Sequence, residues 1–497
     1  MQDIYSNIIN IRRMVFATIA DIAYKNEEVG QAIGEAIVKI IPGEVANYRD
    51  SVFKERAIVG ERLRLCLGLD ARKASELGKL AEGIEKVKID ERFYEKPLIN
   101  VITFACEACP GKTVEVTSNC RKCIAHPCMN VCPKNAIQFN KKQAVIDQDK
   151  CIKCGKCQQV CPYGAIIQYG RPCAQACGVD AIESDELGRA QINQDRCVAC
   201  GQCITACPFG AIADKSEIYQ LIKSIQSGKR HLAIVAPAFI SQFGPLASPQ
   251  QIFQGIKDLG FSDVMEVGLG ADIETMKEAK EFLAEVPEKR PYLGTSCCPS
   301  WAMMVEKMFP DLADNISSSA TPMIATAKHI KQEDADALVT FIGPCTSKKL
   351  EAMQENVREY VDFVITFEEL MGMFVAKKIE LSEIEVDEEI VHASSLGRGF
   401  AESGGVAGAV SAVIKEMDPD REVLTEKGDG LKECVKMLRL AKAGKKNGYL
   451  LEGMACPGGC IGGAGTLAPV HKAKKALAEF KAASAYKSPR ENPLLES

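Results

Sequence analysis

Two cysteines, Cys456 and Cys460, stand within a stretch of little side-chain bulk, residues 452–465, which reads EGMACPGGCIGGAG. Thiolates are soft ligands that suit iron–sulfur centres, and glycines let the backbone approach a bulky inorganic group closely. On its own the pattern also fits a glycine-rich turn with two buried thiols. Two other cysteine loops lie far upstream, TSCCPSW at 295–301 and GPCTSKK at 343–349. Three separated loops of this kind indicate ligands that are gathered from distant parts of the chain onto one centre.

A second group of cysteines, between residues 100 and 215, has the spacing of bacterial ferredoxins. Two runs are complete, a third has a wider gap, and a shortened run and an isolated pair complete the array. The runs end in similar phrases, such as CPYGAI and CPFGAI, which indicates an internal repeat. The members of this array are Cys151, Cys154, Cys157 and Cys161; Cys197, Cys200, Cys203 and Cys207; Cys120, Cys123, Cys128 and Cys132; Cys173 and Cys177; and Cys106 and Cys109.

These sixteen cysteines are enough for four 4Fe-4S clusters, because each cubane takes four thiolates. The three longer runs predict three clusters. A fourth would take Cys106, Cys109, Cys173 and Cys177, or a set in which ligands are exchanged with a neighbouring run. A zinc ribbon is the alternative, but zinc sites use paired Cys-x2-Cys knuckles and not repeated triplets followed by Cys-Pro. We interpret His126 as a structural neighbour and not a ligand, since its run is already complete in cysteine.

The composition excludes several classes of function. The chain has 497 residues, a net charge of −5 and 23 cysteines, and a chain of this size with such spacings indicates metal binding in a reducing compartment. The slightly negative net charge gives no indication of a nucleic-acid-binding protein. Arg12, Arg13 and Asp21 interrupt the apolar N-terminus, which argues against a cleavable signal, and no run of 18 apolar residues predicts a membrane span. We therefore expect a cytoplasmic protein.

Hydrophobic periodicity divides the chain into four parts. Residues 1–97 show the periodicity of helices, and residues 98–216 form the ferredoxin-like α+β iron–sulfur array. In residues 217–475, strand-like apolar runs alternate with helical patterns, which predicts an α/β domain with mixed or parallel sheets and binding loops at the strand ends. From Lys472 the sequence predicts a basic helix followed by a polar, proline-containing end, and residues 476–497 are expected to be a solvated C-terminal tail.

The three cysteine loops resemble the signature loops of the iron-only (FeFe) hydrogenases, and the resemblance extends over about residues 100–475. It implies an H-cluster, in which a 4Fe-4S cubane is joined through one cysteine to a two-iron centre that carries CO, cyanide and a bridging dithiolate. The resemblance assigns Cys298, Cys345, Cys456 and Cys460 to the cubane, with Cys460 as the bridging thiolate.

The same resemblance implies a proton relay. Cys297 matches the relay cysteine beside the two-iron centre, and a thiol suits that task because its pKa can be tuned. Glu278 and Glu281, which lie close together on a predicted helix, match the acids that continue the relay through Ser317. Spacing alone favours a different interpretation of the two glutamates, an ordinary solvated helix face.

Four further residues match positions around the two-iron centre. Lys348 would donate to a cyanide ligand as a compact ammonium, although without the resemblance it is one surface lysine among many. Ala236 and Pro237 resemble the segment whose backbone meets the other cyanide. Met454 would pack against the two-iron centre, and generic core filling is its alternative role.

Several residues depart from the best-known members of the family. Gly343 stands where they have methionine, Met323 where many have glutamine, and Ser300 where glycine is common. No plant-type 2Fe-2S domain precedes the array. These departures resemble a less-studied monomeric branch, and they leave the predicted ligands intact.

The sequence therefore predicts a cytoplasmic enzyme that interconverts protons and electrons with dihydrogen. Its expected partners are a ferredoxin or flavodoxin and the hydrogenase maturation proteins, with neither nucleic acid nor membrane, and its expected state is a monomer or homo-oligomer. One alternative is a relative without turnover that senses hydrogen or redox state or assembles iron–sulfur proteins. Another is a multi-cluster electron carrier, which would leave the three distant cysteine loops unexplained.

Overall fold

The computed structural model of the protein describes residues 6–72, 78–86, 95–386 and 389–495. Within these ranges no helix is both long enough and apolar enough to cross a membrane. The described residues form N-terminal helices, a ferredoxin-like array and an α/β domain, as the sequence predicts.

Helices dominate the described part of the N-terminal region. Ser6 and Ser51 cap the first and third helices, because each side chain accepts a hydrogen bond from a backbone N–H of the first turn. Ile19 of the first helix and Ile33 of the second are fully buried in the same core as the α/β domain. The region is therefore packed onto the domain that carries the signature loops. Its helices are α1 (Asn7–Lys25), α2 (Val29–Ile40) and α3 (Val52–Cys66).

The ferredoxin-like array consists of two modules of the same design. In each module an outer antiparallel strand pair encloses an inner hairpin: β2 and β5 enclose β3 and β4, and β1 and β8 enclose β6 and β7. The strands are β1 (Ile99–Val101), β2 (Thr113–Val116), β3 (Ile137–Phe139), β4 (Ala144–Ile146), β5 (Ile166–Tyr169), β6 (Ile182–Ser184), β7 (Ala190–Ile192) and β8 (Ile212–Asp214). Short helices follow the cysteine loops: α4 (Pro127–Asn130), α5 (Lys156–Gln159), α6 (Pro172–Ala176) and α7 (Gln202–Ala206).

The α/β domain contains two sheets, and every strand pair in them is parallel. Parallel strands need long crossover connections, which explains the alternation of strands and helices along this part of the chain. The four-stranded sheet has the order β10-β9-β12-β13, and the three-stranded sheet has the order β11-β15-β14. The strands are β9 (His231–Val235), β10 (Asp263–Glu266), β11 (Leu293–Gly294), β12 (Leu338–Gly343), β13 (Phe363–Thr366), β14 (Leu424–Asp429) and β15 (Tyr449–Met454).

Twelve helices cover these sheets in the described residues. They are α8 (Ile218–Gln226), α9 (Pro249–Asp258), α10 (Gly268–Glu285), α11 (Pro299–Met308), α12 (Pro322–Glu333), α13 (Thr346–Glu351), α14 (Glu355–Arg358), α15 (Phe367–Lys377), α16 (Ser395–Gly399), α17 (Gly405–Met417), α18 (Leu431–Lys442) and α19 (Val470–Ala482).

A buried ionic group ties the array to the α/β domain. The ammonium of Lys349, on α13, lies 2.8 Å from Asp214 of β8 and 3.0 Å from Glu369 of α15, and its side chain is fully buried. These two carboxylates raise the pKa of Lys349 in spite of its burial, so the lysine stays charged. The contact fixes α13, the helix that follows Cys345.

The C-terminal segment differs from the prediction of a solvated tail. The proposed boundary at 475/476 falls inside α19, and the chain then returns to the α/β domain. Asn492 is 2% exposed, and its amide donates a 3.0 Å hydrogen bond to the carboxylate of Asp272 on α10. Polarity and proline content in this segment do not reveal a partner 220 residues away, which is why the sequence-based prediction was wrong.

Candidate metal centres

The three signature loops follow the carboxyl ends of three parallel strands. Cys298 follows β11, Cys345 follows β12 and Cys456 follows β15, so the two sheets deliver the thiols to one region. Cys298 and Cys345 also occupy the N-cap positions of α11 and α13. The free N–H groups and partial positive charge at a helix N-terminus stabilise a thiolate there.

One largely apolar cavity brings the predicted residues together. About 820 Å³ of space, its open mouth included, is free of protein atoms. The residues predicted from the family resemblance that line it are Ala236, Pro237, Cys297, Cys298, Cys345, Lys348, Met454, Cys456 and Cys460. Glu278, Glu281 and Ser317 do not line it.

The thiols of the cavity are a donor set that fits an iron–sulfur cubane. Burial and the charges of neighbouring cysteines together raise the pKa of Cys345 to about 11 and that of Cys460 to about 12. The pKa of Cys456 is raised well above its ordinary value by burial and then by the charges of Cys345, Cys200 and other cysteines. Four crowded thiols of this kind are poor anions alone, but binding to iron displaces their protons and compensates their charge.

Lys348 is a buried residue, which excludes the surface-lysine interpretation. It is 7% exposed, and its ammonium lies 2.7 Å from the carboxylate of Glu351. Its positive charge lowers the pKa of Cys298, Cys345 and Cys460 against the effect of burial. The lysine therefore supplies the one cationic side chain among the residues that line the cavity.

The departures from the family pattern alter the walls of the cavity. At Gly343 an added Cβ would lie 2.5 Å from the ring of Phe341, so this ring takes space that a methionine side chain would need. Phe341 and Met323 both line the cavity, and the hydroxyl of Ser300 donates to the carbonyl of Val198 in the array (2.9 Å). The cavity keeps its apolar character with different side chains.

Glu278 is a buried acid beside the first signature loop. One of its carboxylate oxygens accepts hydrogen bonds from the N–H (3.0 Å) and the hydroxyl (3.1 Å) of Ser296. The other oxygen is buried and has no hydrogen-bond partner among the described residues. Burial raises the pKa of Glu278 to about 7, so its carboxyl group changes ionisation near neutrality. A solvated helix face is therefore excluded for this residue.

Cys297 is close enough to Glu278 for their charges to interact. Burial raises the pKa of the Cys297 thiol well above its ordinary value, and Cys298, Glu452 and Glu278 raise it further. The protein alone thus favours the protonated thiol at this position.

A second group of polar side chains leads from this region to the surface. The Ser317 hydroxyl donates to one oxygen of Glu281 (2.5 Å), and the other oxygen lies 2.9 Å from the guanidinium of Arg290. Arg290 also pairs with Glu285 (2.8 Å), and its side chain is 23% exposed. Ser317 and Glu281 are in direct contact, but among the described residues no hydrogen bond joins Ser317 to Glu278.

Glu452 is a site residue to which the sequence analysis assigned no role. It is fully buried, and its carboxylate accepts hydrogen bonds from the N–H groups of Gly404 (2.6 Å) and Ala407 (2.8 Å) at the N-terminus of α17. Its charge raises the pKa of Cys297 and Cys460. A carboxylate inside the apolar run LLEGM of a parallel strand is the sequence signal that could have identified it.

The repeated phrase of the array has a structural reason. In all four copies the last cysteine of the run accepts a hydrogen bond from the N–H of an alanine four residues later, at 3.2–3.4 Å. The residue before each alanine has a positive φ, which Gly, Asn and Asp tolerate. Each alanine is 1% exposed, so a larger side chain would not fit. The pairs are Cys132 and Ala136, Cys161 and Ala165, Cys177 and Ala181, and Cys207 and Ala211.

The isolated pair Cys106 and Cys109 has the same local geometry as the longer runs. Ala108 has a φ of 44°, and the equivalent residues Lys122, Lys153 and Ala199 have values of 49°, 56° and 52°. This left-handed residue reverses the chain between the two cysteines of each pair. The similarity supports a fourth cluster site.

The structure favours exchanged ligand sets. Burial and the charges of Cys207 and Cys106 together raise the pKa of Cys173 to about 11. Burial and the charges of Cys106 and Cys207 likewise raise the pKa of Cys109. The charge of Cys177 instead raises the pKa values of Cys197, Cys200 and Cys203. In the first module the charges of Cys123 and Cys161 raise the pKa of Cys128. Those of Cys151 and Cys154 raise the pKa of Cys157. These charge interactions favour a fourth site with Cys207 in place of Cys177.

The cysteine sets differ from the sites of single metal ions. Among the described residues no three His, Cys, Asp or Glu side chains converge as the ligands of one ion do. The thiolates of a cubane bind four different iron atoms and lie further apart. His126 stacks on Phe139, with ring centroids 4.1 Å apart, which fits a structural role for this histidine.

The N-terminal helices hold the loop around Cys207. The guanidinium of Arg62 on α3 donates to the carbonyl of Gly210, and that of Arg49 donates to the carbonyls of Phe209 (2.7 Å) and Ala105 (3.4 Å). The N-terminal region therefore stabilises the loops next to Cys106 and Cys207 through these hydrogen bonds.

Comparison with known protein families agrees with these observations. Residues 229–464 match the family described as "Iron only hydrogenase large subunit, C-terminal domain". Residues 144–167 and 190–213 match the "4Fe-4S binding domain". The first match covers the α/β domain through all three signature loops, and the second covers parts of both modules of the array.

Three individual relatives share at most 28% sequence identity with this chain. Iron hydrogenase 1 of Clostridium pasteurianum is 28% identical over 386 residues, which are 67% of this chain and 67% of that protein. A cytosolic Fe-S cluster assembly factor of Kluyveromyces lactis is 27% identical over 195 residues, 37% of this chain and 42% of that protein. A solved FeFe-hydrogenase variant from Chlamydomonas reinhardtii is 23% identical with a TM-score of 0.47, and the alignment covers 56% of this chain and 93% of that chain. The chain therefore combines a domain of the iron-only hydrogenase large-subunit type with ferredoxin-type 4Fe-4S binding motifs.

Proposed function

We propose that the protein catalyses the reversible reduction of protons to dihydrogen at an H-cluster, and that four 4Fe-4S clusters relay electrons to or from a ferredoxin or flavodoxin in the cytoplasm. The observation that carries this proposal is the cavity in which Cys298, Cys345, Cys456 and Cys460 meet Cys297. When bound, the H-cluster supplies the iron centre at which protons and electrons are interconverted with dihydrogen.

The residues around the cavity would hold this cofactor and keep water from it. The four cysteines would hold the cubane, with Cys460 shared with the two-iron centre. Lys348 would donate to one cyanide, and the segment Ala236–Ala238 would contact the other through its backbone. Met454, which is 2% exposed, closes the apolar wall. A dry cavity strengthens each of these electrostatic contacts.

Protons would move between the cavity and the surface through side chains of this chain. Cys297 is favoured in its protonated form and would exchange a proton with Glu278, whose pKa of about 7 suits both directions. One water molecule or a rotated hydroxyl at Ser317 would continue the path to Glu281. Arg290 keeps the Glu281 carboxylate oriented at the surface side.

Electrons would enter the cavity beside Cys200. The charge of Cys200 raises the pKa of Cys456, and Cys298 raises that of Cys200, so the cluster site of Cys177, Cys197, Cys200 and Cys203 adjoins the candidate cubane site. The other three sites would extend the relay beyond the site of Cys200.

Two cysteine substitutions test the separate roles of the cavity thiols. After maturation, Cys297→Ser should keep the infrared bands of CO and cyanide but lose most turnover, because a serine hydroxyl is a much poorer acid. Cys460→Ser should lose the bands of the two-iron centre. Cys66→Ala is the control, because it removes a buried thiol of the N-terminal helices that is distant in sequence from the cavity cysteines. It should keep both the infrared bands and turnover. Wild-type turnover in Cys297→Ser would refute the relay, and full bands in Cys460→Ser would refute the bridging role.

A non-catalytic relative, either a sensor or an assembly factor, is the alternative function. The local match to an assembly factor favours it, but that match covers 37% of the chain. The retention of Cys297, Lys348 and Met454 around one cavity favours turnover. Hydrogen evolution with a reduced dye distinguishes the two functions.

A further inference from the structure

The first module of the array has a near end and a far end with respect to the rest of the molecule. Its outer strand pair, β2 and β5, begins beside the second module, where Arg171 donates to the carbonyl of Cys109 (3.1 Å). The other end of the pair leads to Thr117, whose N–H donates to the carbonyl of Ala165 (2.7 Å). Because Ala165 in turn donates to Cys161 (3.3 Å), the cluster site of Cys161 lies at the far end.

The other cluster site of this module lies nearer to the rest of the molecule. The amide of Gln168, in the middle of the strand pair, donates to the carbonyl of Lys153 in the loop between Cys151 and Cys154 (3.0 Å). The far-end site comprises Cys120, Cys123, Cys128 and Cys161. It is the site furthest along the relay from the cavity and therefore the natural place for electron exchange with another protein.

The surface around the far-end site is strongly basic. Between residues 116 and 146 the chain has five Lys or Arg residues and no Asp or Glu, although the whole chain carries a net charge of −5. Arg121 and Lys122 lie between two of the ligands and are exposed. The Cys120 thiol accepts from the N–H of Ala144 (3.4 Å), which places the hairpin turn with Lys141 and Lys142 beside this ligand. The cations thus surround the far-end site.

Apolar side chains lie exposed among these cations. Ile124, next to Cys123, is 97% exposed. Val160 and Tyr163, on either side of Cys161, are 38% and 51% exposed. An apolar centre with a charged rim is typical of protein–protein interfaces, and complementary charge accelerates their formation.

We propose that this far-end face, formed by Arg121, Lys122, Ile124, Lys141, Lys142, Val160 and Tyr163, is the docking surface for an acidic ferredoxin. The inference rests on the proposed function and specifies where its electron partner binds. Negative carboxylates on the partner would pair with the basic rim, and its apolar surface would cover Ile124 and bring its cluster towards the far-end site. Such contacts are small and transient, as rapid electron exchange requires.

Charge reversal tests the docking surface. The double variant Lys141→Glu/Lys142→Glu, in the hairpin turn outside the cysteine loops, is compared with Lys474→Glu/Lys475→Glu, which makes the same change on two adjacent exposed lysines of α19. The probe is a bacterial ferredoxin with two 4Fe-4S clusters and a strongly negative net charge. Matured proteins are assayed for hydrogen evolution with this reduced ferredoxin and, separately, with reduced methyl viologen. Ferredoxin binding to each protein is also measured by calorimetry without turnover.

The far-end double variant should raise the KM for ferredoxin about ten- to a hundredfold, weaken its dependence on salt, and leave dye-linked turnover unchanged. Ile124→Ser should raise the KM with the salt dependence retained. The α19 variant should behave as the wild type. Equal KM and equal affinity in the far-end and α19 variants would overturn the docking surface, as would ferredoxin that neither binds nor supports turnover. If the wild-type protein shows no hydrogen evolution with reduced methyl viologen, the proposed function is refuted. The docking surface is still tested in that case, because calorimetry measures ferredoxin binding without turnover.

Discussion

At the scale of single residues, burial together with contact to the first signature loop at Ser296 separates Glu278 from chemically identical neighbours. Glu278 and Glu281 are alike in sequence, yet Glu278 is fully buried with one unpartnered oxygen, whereas Glu281 bonds Ser317 and Arg290 near the surface. The cysteine ligands could be predicted because residue type and spacing define an iron–sulfur loop. For Glu452, the surrounding apolar run could have indicated burial, but no local pattern shows which backbone N–H groups will reach its carboxylate.

The proton relay makes a prediction about Glu278. Glu278→Gln should reduce turnover by about 100-fold or more, because the amide cannot exchange a proton, while the infrared bands of the matured cofactor remain. Glu274→Gln is the matched control: it changes another buried glutamate of α10, 2% exposed and paired with Lys277, and should keep most turnover. Equal rates in the two variants at pH 7 would show that Glu278 carries no protons.

At the scale of elements, the strands and helices of the α/β domain follow from sequence periodicity, but the exchange of ligands in the array does not. Linear spacing shows that Cys177 and Cys207 each end a run. The nesting of β6 and β7 within β1 and β8 brings Cys207 close enough to Cys173 for its charge to raise the pKa of that thiol, which linear spacing does not show. The left-handed residue before each repeated alanine was visible in the sequence as Asn, Gly or Asp, but its hydrogen-bonding purpose required the structure.

Close packing of β15 against α11 makes a prediction about Gly453. A Cβ at this position would lie 2.0 Å from the ring of Trp301, which is fully buried, so Gly453→Ala should destabilise the protein by about 1–3 kcal/mol. Gly408→Ala, at an exposed position of α17 with nothing near its Cβ, should stabilise the helix by about 0.5–1 kcal/mol. Thermal unfolding under anaerobic conditions compares the two. If Gly453→Ala unfolds at the wild-type temperature, β15 does not pack closely against Trp301.

At the scale of the whole molecule, the chain arranges its chemistry along one direction. The cavity lies between two parallel sheets, the site of Cys200 adjoins it, and the first module leads to a basic and partly apolar far end. The N-terminal helices and the C-terminal segment hold this arrangement through contacts such as Arg62 with Gly210 and Asn492 with Asp272. Contacts between residues so far apart in sequence leave no local pattern, so their roles could not be predicted before the structure.

Infrared spectroscopy of the anaerobically purified and matured protein, first under argon and then under hydrogen, tests the central claim most directly. The proposed H-cluster predicts CO and cyanide bands that shift when hydrogen is admitted. A control hydrogenase matured in parallel verifies the maturation. If the control shows its bands and this protein shows none, the four cysteines of the cavity do not hold an H-cluster and the proposed function is wrong.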